Sequence, residues 1–383
     1  MTLNRQVKFA CTALGANLPL ITRGATQLES SLYYQHRSSC SAFNAISPPQ
    51  ARPRMSRPAG VHRITRLRCM ANRKIRLNKL AHSFLTATSA GRDKQGPVGK
   101  LWRLAYLQAC RKWGNSHVRI RLHGLPATIN FANPYPFFVR EFRNYNAPQV
   151  ELVARTSDAL GRPVAVVDVG AAVGDSSLLL KQWCGGRISA LHCIEGDEEF
   201  CALLRTNLRG PKVNIYWAVL SDKVEEVSQL VRVDHQGTAT STGADAVSAT
   251  TLDRLLTSAS VDVLKIDTDG FDGRILGGAA RILHDFHPSV LFEWHPKACR
   301  RANTPDAEAF EHLKSAGYTR FIFFNKYGYF SHFGEEHIDE LRQLCLNSSH
   351  LVDWHFDVAA LHSESKVDDI ALADLTFWQH CKL

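Results

Sequence analysis

The sequence contains ten cysteines but no Cys-x-x-Cys pair, and no His and Cys grouping has the spacing of a zinc ligand set. That argues against a structural metal centre, and no metal is expected. Scattered, unpaired thiols fit a reducing compartment, so a cytoplasmic location is expected. No apolar run reaches about 18 residues, which excludes a membrane-spanning helix. Acidic residues are scarce at the start: Glu29 and Asp93 stand against 17 Lys and Arg in the first 100 residues. Beyond them 29 basic residues face 34 acidic ones, so the net charge of +10 resides in the N-terminal stretch and the remainder is mildly acidic. A mildly acidic body argues against nucleic acid as its partner.

What is present suffices for a globular protein. An apolar fraction of 45% over 383 residues can fill one large or two ordinary domains. Residues 1–95 are rich in Arg, Ser and Ala, carry Pro48, Pro49, Pro53 and Pro58, and show little lasting periodicity; they read as a disordered basic tail. Three accounts of that tail remain open. It is an extension without function, absent if synthesis starts at Met70; it targets the chain to an organelle; or it touches nucleic acid or a membrane surface.

Residues 96–150 read as a smaller unit packing on the main domain. The spacing of Leu101, Leu104, Ala105, Leu107 and Cys110 predicts an amphipathic helix over 100–111, and residues 118–122 and 127–131 predict a hairpin around His123-Gly124. Tyr135, Phe137, Phe138, Phe142 and Tyr145 suit core packing better than a substrate mouth.

The domain over 151–383 is organised around Val164–Asp175, VAVVDVGAAVGD. An apolar β-branched run ends at Asp168, Gly170 and Gly174 bracket a small-residue turn, and Leu178, Leu179 and Trp183 open a helical pattern. Glycine there lets backbone approach a ligand, and a helix start favours an anionic group. A second β-rich run ends in Glu195 at about the spacing at which nucleotide-binding α/β folds place an acid on a ribose diol. The turn lacks G-x-G-x-x-G, so the dinucleotide reading weakens while a nucleoside reading survives. A strand over 261–266 delivers Asp267 and Asp269, and one over 290–294 delivers Glu293 and His295, to the carboxyl edge of an open sheet, where such folds bind ligands.

Taken in order, DVGAAVGDSS at 168–177, IEGD at 194–197, AVLSD at 218–222, TLDRLL at 251–256, KIDTDG at 265–270 and LFEWHP at 291–296 resemble the FkbM family of S-adenosylmethionine-dependent methyltransferases. The resemblance implies a class I, Rossmann-like doubly wound α/β sheet with S-adenosyl-L-methionine as cofactor. It places the amino acid end of the cofactor at Asp168, Gly170, Ala171, Gly174, Asp175 and Ser177. The ribose falls at Glu195 and Gly196, and the adenine at Ala218 and Val219. Asp267, Asp269, Glu293 and His295 become the catalytic candidates: Asp267 would orient the acceptor or cofactor, and Glu293 or His295 would take its proton. The implied reaction is O-methylation of a hydroxyl on a sugar or other small natural-product acceptor.

Three positions depart from the family pattern: Ala172 stands where Asn is usual, Gly196 where Pro is usual and Asp269 where Glu is usual. A catalytically inactive scaffold is therefore an alternative, and a nicotinamide-dependent oxidoreductase is a weaker one. Three further expectations concern architecture. Residues 222–249 read as a long polar connection, 271–285 as one helix whose Gly277 and Gly278 pack on the sheet, and 319–324, 327–330 and 335–346 as closing strands and a last helix.

Overall fold

The computed structural model describes residues 78–91, 96–232, 239–348 and 353–381. An eight-stranded sheet carries the site. Its parallel strands are β3 (Val164–Val169), β4 (Ile188–Glu195), β5 (Val213–Trp217), β9 (Val263–Ile266) and β10 (Ser289–Trp294), with β9 and β4 on either side of β3. β3 is buried along its whole length, its five apolar residues as a strand covered on both faces requires and Asp168 through its pairing with Lys265. One cluster of buried side chains packs on one face, around Val166, Leu179 and Phe200, and a second on the other, around Val167, Leu276 and Phe292. This is the doubly wound α/β sheet expected from the sequence, with the order reversing at β3, where such sheets open a crevice for ligands.

The smaller elements explain their own positions. In the hairpin, β1 (His117–Leu122) and β2 (Leu125–Asn130) are joined by His123 and Gly124, both at positive φ (51° and 80°), the geometry that matches strand twist. Asp197 caps the helix Glu198–Asn207, its carboxylate accepting from the Phe200 amide at 2.9 Å. Thr251 likewise caps Leu252–Leu255.

Several expectations are corrected. The helix at the start of the smaller unit is present as Pro97–Trp113, but the aliphatic stripe does not face the core. Leu101 and Leu104 are exposed among the described residues, while Trp102, Ala109 and Cys110 are buried. The aromatic face wins because Trp102 and Tyr106 stack on each other and meet Phe137 edge-on, burying more surface than the leucines offer. Residues 78–87, inside the stretch read as tail, are helical and bury Asn78, His82 and Leu85; residues 1–77 and 92–95 lie outside the described residues. Residues 222–249 are not a plain connection: β7 (Glu225–Arg232) and β8 (Ala239–Thr250) pair antiparallel, with the short β6 (Val219–Leu220) alongside β8. Their mixed polar composition carries too little alternation to mark strands.

The helix over 271–285 is interrupted into Asp272–Gly277 and Ala280–Phe286. Its glycines serve contacts other than the sheet. A Cβ on Gly278 would lie 2.2 Å from the Ser221 carbonyl oxygen, and one on Gly277 would lie 2.9 Å from the His312 ring. The strand expected at 327–330 is the turn between β11 (Tyr318–Asn325) and β12 (Phe330–Phe333), with Gly328 at φ 77°. The helix expected at 335–346 is Ile338–Asn347. The chain then returns as β13 (Phe356–His362), antiparallel and inserted between β10 and β11, before two short helices, Asp369–Ala373 and Thr376–His380.

Candidate active site

The turn after β3 is built for close approach. Gly170 has φ 73°, and a Cβ there would sit 2.0 Å from the Asp267 carbonyl oxygen at the end of β9. Gly174, at φ 86°, packs against Leu204. Ala172 lies between them at φ 44°, a region that suits Asn or Gly better than Ala. The usual Asn of the resembled family thus meets a backbone demand that Ala172 satisfies only under strain.

A cavity of about 380 Å³ opens at this turn, within the size range of small-ligand sites. Of the sequence candidates, Gly170, Glu195, Gly196, Ala218, Val219, Asp267 and Asp269 line it, together with Ala172 and Phe200. Asp168, Ala171, Gly174, Asp175, Ser177, Glu293 and His295 are absent from its lining. β7 supplies a further wall through Glu225, Glu226, Val227 and Ser228, with Arg274 beside them.

Glu195 is buried and held by two backbone amides, Ala172 N–H donating to one oxygen and Asp197 N–H to the other, both at 2.7 Å. Burial raises its pKa to about 7, against the pull of those amides. An ionised carboxylate offers about four lone-pair directions, so both oxygens keep capacity for further donors. The turn itself has less to offer. The Gly170 and Ala171 amides donate to the Ile194 carbonyl, Ala172 to Glu195 and Gly174 to the Ala171 carbonyl. These amides, assigned from the sequence to a ligand carboxylate, are engaged within the protein.

Asp168 sits behind the wall. It is fully buried and accepts from the hydroxyls of Ser176 and Ser177 at 2.9 and 2.5 Å, while its other oxygen faces Lys265 Nζ at 2.9 Å. Lys265 also approaches Asp267 at 3.5 Å. Burial opposes the charged ammonium, but Asp168 and Asp267 outweigh it and hold its pKa above the usual lysine value. Lys265 was quoted within its motif but given no role by the sequence reading; its signal was a cation in the middle of the apolar strand VLKI.

The carboxylates around the β9 and β10 ends repel one another. Asp267 is half exposed to the cavity yet lies deep in the cleft, where desolvation raises its pKa; Lys265 pulls it down and Glu293 pushes it up. Asp269, at φ 53°, is raised well above the carboxylate range by burial and then by Glu293, Asp267 and Asp272. Asp272, which the sequence reading missed, is pushed up to about 7 by burial and by Glu293. It ties the two strand ends together, accepting from Thr268 Oγ1 at 2.9 Å and from the Glu293 amide at 3.1 Å.

Glu293 and His295 form a different constellation. Glu293 Oε2 lies 3.5 Å from His295 Nδ1, Glu293 Oε1 lies 3.3 Å from His355 Nε2, and His295 Nε2 lies 3.4 Å from Asp353. Burial would raise Glu293, but His355 and His295 bring it down to about 2. Burial likewise works against a charged His295, while Asp353 and Glu293 bring its pKa up to about 9; burial pushes His355 down to about 4. Asp175 is raised to about 6 by burial, and Asn133 donates to it at 3.4 Å.

Residues 168–320 match the family model of the methyltransferase FkbM domain. Over this segment the chain is similar to the FkbM methyltransferase domain. Among solved structures, it is similar to the methyltransferase FkbM from Methylobacillus flagellatus KT, with 13% identity, TM-score 0.36 and coverage of 52% of this chain. The chain spans 43% of that protein's length. It is also similar to a precorrin-6y C5,15-methyltransferase from Geobacter metallireducens GS-15, with 14% identity over 56% of this chain and 88% of that one, at TM-score 0.32. A third is a putative tRNA (m1A22) methyltransferase from Streptococcus pneumoniae in complex with S-adenosyl-L-methionine, with 13% identity over 58% and 76% and TM-score 0.32. No curated protein matches the chain. The matched segment begins at Asp168 and includes the strand ends that reach the cavity: β3 with Val169, β4 with Glu195, β5 with Ala218 just beyond it, and β9 with Asp267 just beyond it.

Proposed function

We propose that this chain is an S-adenosylmethionine-dependent methyltransferase acting on a hydroxyl of a small sugar or natural-product acceptor. The observation that carries the reading is a single cavity that receives Glu195 on one side of the β3 turn and Asp267 and Asp269 on the other. Glu195 accepts the ribose hydroxyls. Ala218 and Val219 leave room for a flat base beside Phe200, and Gly170 lets ligand and backbone meet without a side chain between them. Ala171 and Gly174 shape the bend, while Asp168 and Ser177 act from behind it by holding Lys265 and the helix start. Asp175 stands beyond the lining, at the start of the helix Asp175–Cys184.

When bound, the cofactor supplies an electrophilic methyl group on a sulfonium. The chain's own task is then to align a hydroxyl and remove its proton. Glu293 and His295 are absent from the cavity lining, so the proton passes instead to Asp267 or Asp269. These line the cavity, and burial raises the pKa of both, which makes each a stronger base than an exposed carboxylate.

Calorimetry with S-adenosylhomocysteine tests the reading. The native chain is expected to bind and Glu195→Ala to lose binding; equal affinity in both would overturn the assignment, and binding of NAD(H) alone would favour the oxidoreductase. With labelled cofactor and hydroxylated acceptors, Asp267→Asn and Asp269→Asn are expected to lower turnover by about 10²–10⁴-fold at retained cofactor affinity.

A further inference from the structure

Glu293 and His295 are two residues apart at the carboxyl end of β10, and the period of a strand turns them to the same side. β13 runs antiparallel beside β10, with Glu293 opposite Asp357 and Trp294 opposite Phe356. Continuing that register by one residue sets His355 across from His295, and their ring centroids are 5.2 Å apart. Three ligating side chains converge: Glu293 Oε2 to His295 Nδ1 is 3.5 Å, Glu293 Oε1 to His355 Nε2 is 3.3 Å, and the three groups' ligand atoms all lie within 4.8 Å of one another. A tetrahedral ion with bonds of about 2.0–2.1 Å needs neighbouring ligand atoms about 3.3–3.4 Å apart.

A further observation points to a ligand: Glu293 Oε2 is buried without a hydrogen-bond partner, and the side chains of His295 and Glu293 are only 6% and 11% exposed.

We propose that Glu293, His295 and His355 bind a divalent transition-metal ion of the zinc class, with Asp353 orienting His295 from behind. Two histidines and one glutamate form a set that zinc takes with a fourth position left open to water or substrate oxygen. With His295 Nδ1 on the metal, its Nε2–H points to Asp353 at 3.4 Å, the carboxylate–histidine arrangement that fixes a ligating ring. Asp353 is itself steadied by Lys297 at 3.4 Å and Arg301 at 3.6 Å. A second group, His287, His362 and Glu364, serves as a contrast: its two imidazoles stack face to face at 3.7 Å and 6°, which lays their nitrogens side by side instead of aiming them at one point. Metal uptake at Glu293 does not require the methyl-transfer reading.

The test uses the full chain, stripped with a chelator and titrated with Co²⁺, followed by Zn²⁺ displacement and elemental analysis. One equivalent with the visible bands of a low-coordinate Co²⁺ site without sulfur is expected, displaced by Zn²⁺. His355→Gln is expected to abolish it and Asp353→Asn to weaken it by about 10–100-fold, whereas His287→Gln leaves it unchanged. Circular dichroism on each variant confirms folding. No Co²⁺ spectrum from the folded native chain, or an undiminished equivalent in folded His355→Gln, overturns the site; an equivalent lost only in His287→Gln reassigns the metal to the other group and overturns it equally.

Discussion

Glu195 concentrates the chemistry of the cavity in one titrating group. Burial raises its pKa from 4.5 to about 7, so the folded chain holds a proton that the unfolded chain has released. The stability linked to that proton is complete below about pH 4.5 and is lost as pH rises through about 7. Across that window Glu195→Gln is expected to lose less stability than the native chain, by on the order of 1–3 kcal/mol in urea titrations at fixed pH steps. Parallel slopes for the two proteins would deny the shift. Lys265 gives a second residue-level expectation. Lys265→Met leaves Asp168 charged and uncompensated in the interior, and unfolding free energy is expected to fall by about 3–5 kcal/mol. Ala172→Gly removes a side chain from left-handed backbone and is expected to raise thermal stability, by about 0.5–1 kcal/mol after the entropy of the glycine is counted. A drop in midpoint would refute the strain at this position.

At the scale of elements, the sequence revealed what local chemistry decides and concealed what partners decide. β3 was legible because VAVV is an unbroken, mostly β-branched run, and the helix after Glu195 because Asp197 and its two following glutamates announce a start. The face of Pro97–Trp113 was misread because two stripes compete on it, and the contact that decides between them, Phe137 edge-on against Trp102 and Tyr106, comes from a later helix. β7 and β8 were hidden because each is too polar to alternate cleanly. The break at Gly277 and Gly278 follows the same rule, since the contact that demands it comes from Ser221, far away in sequence. Gly278→Ala forces a Cβ to within 2.2 Å of that carbonyl, and a loss of about 1–3 kcal/mol is expected by chemical denaturation. Of the candidate site, the residues at strand ends were legible by position. Asp272 and His355 were not, because one acts by joining two strand ends and the other arrives on a strand the sequence reading had not found.

At the scale of the molecule, β13 unites the sheet. It is hydrogen-bonded to β10 on one side and β11 on the other, through residues that are almost all buried. Removing residues 354–383 would uncover two unpaired strand edges in the middle of the sheet. Such a chain is expected to be insoluble or to lose its cooperative transition, and a soluble, sharply melting product would show the sheet tolerates the gap.

The position of β13 also sets a timetable. A chain emerging from the ribosome presents Gly170, Glu195, Asp267 and Glu293 before His355 is made, and the strand that follows His355 is the last to join the sheet in chain order. Crevice and adjoining cluster therefore both wait on the last strand, and a prematurely terminated product holds neither in stable form.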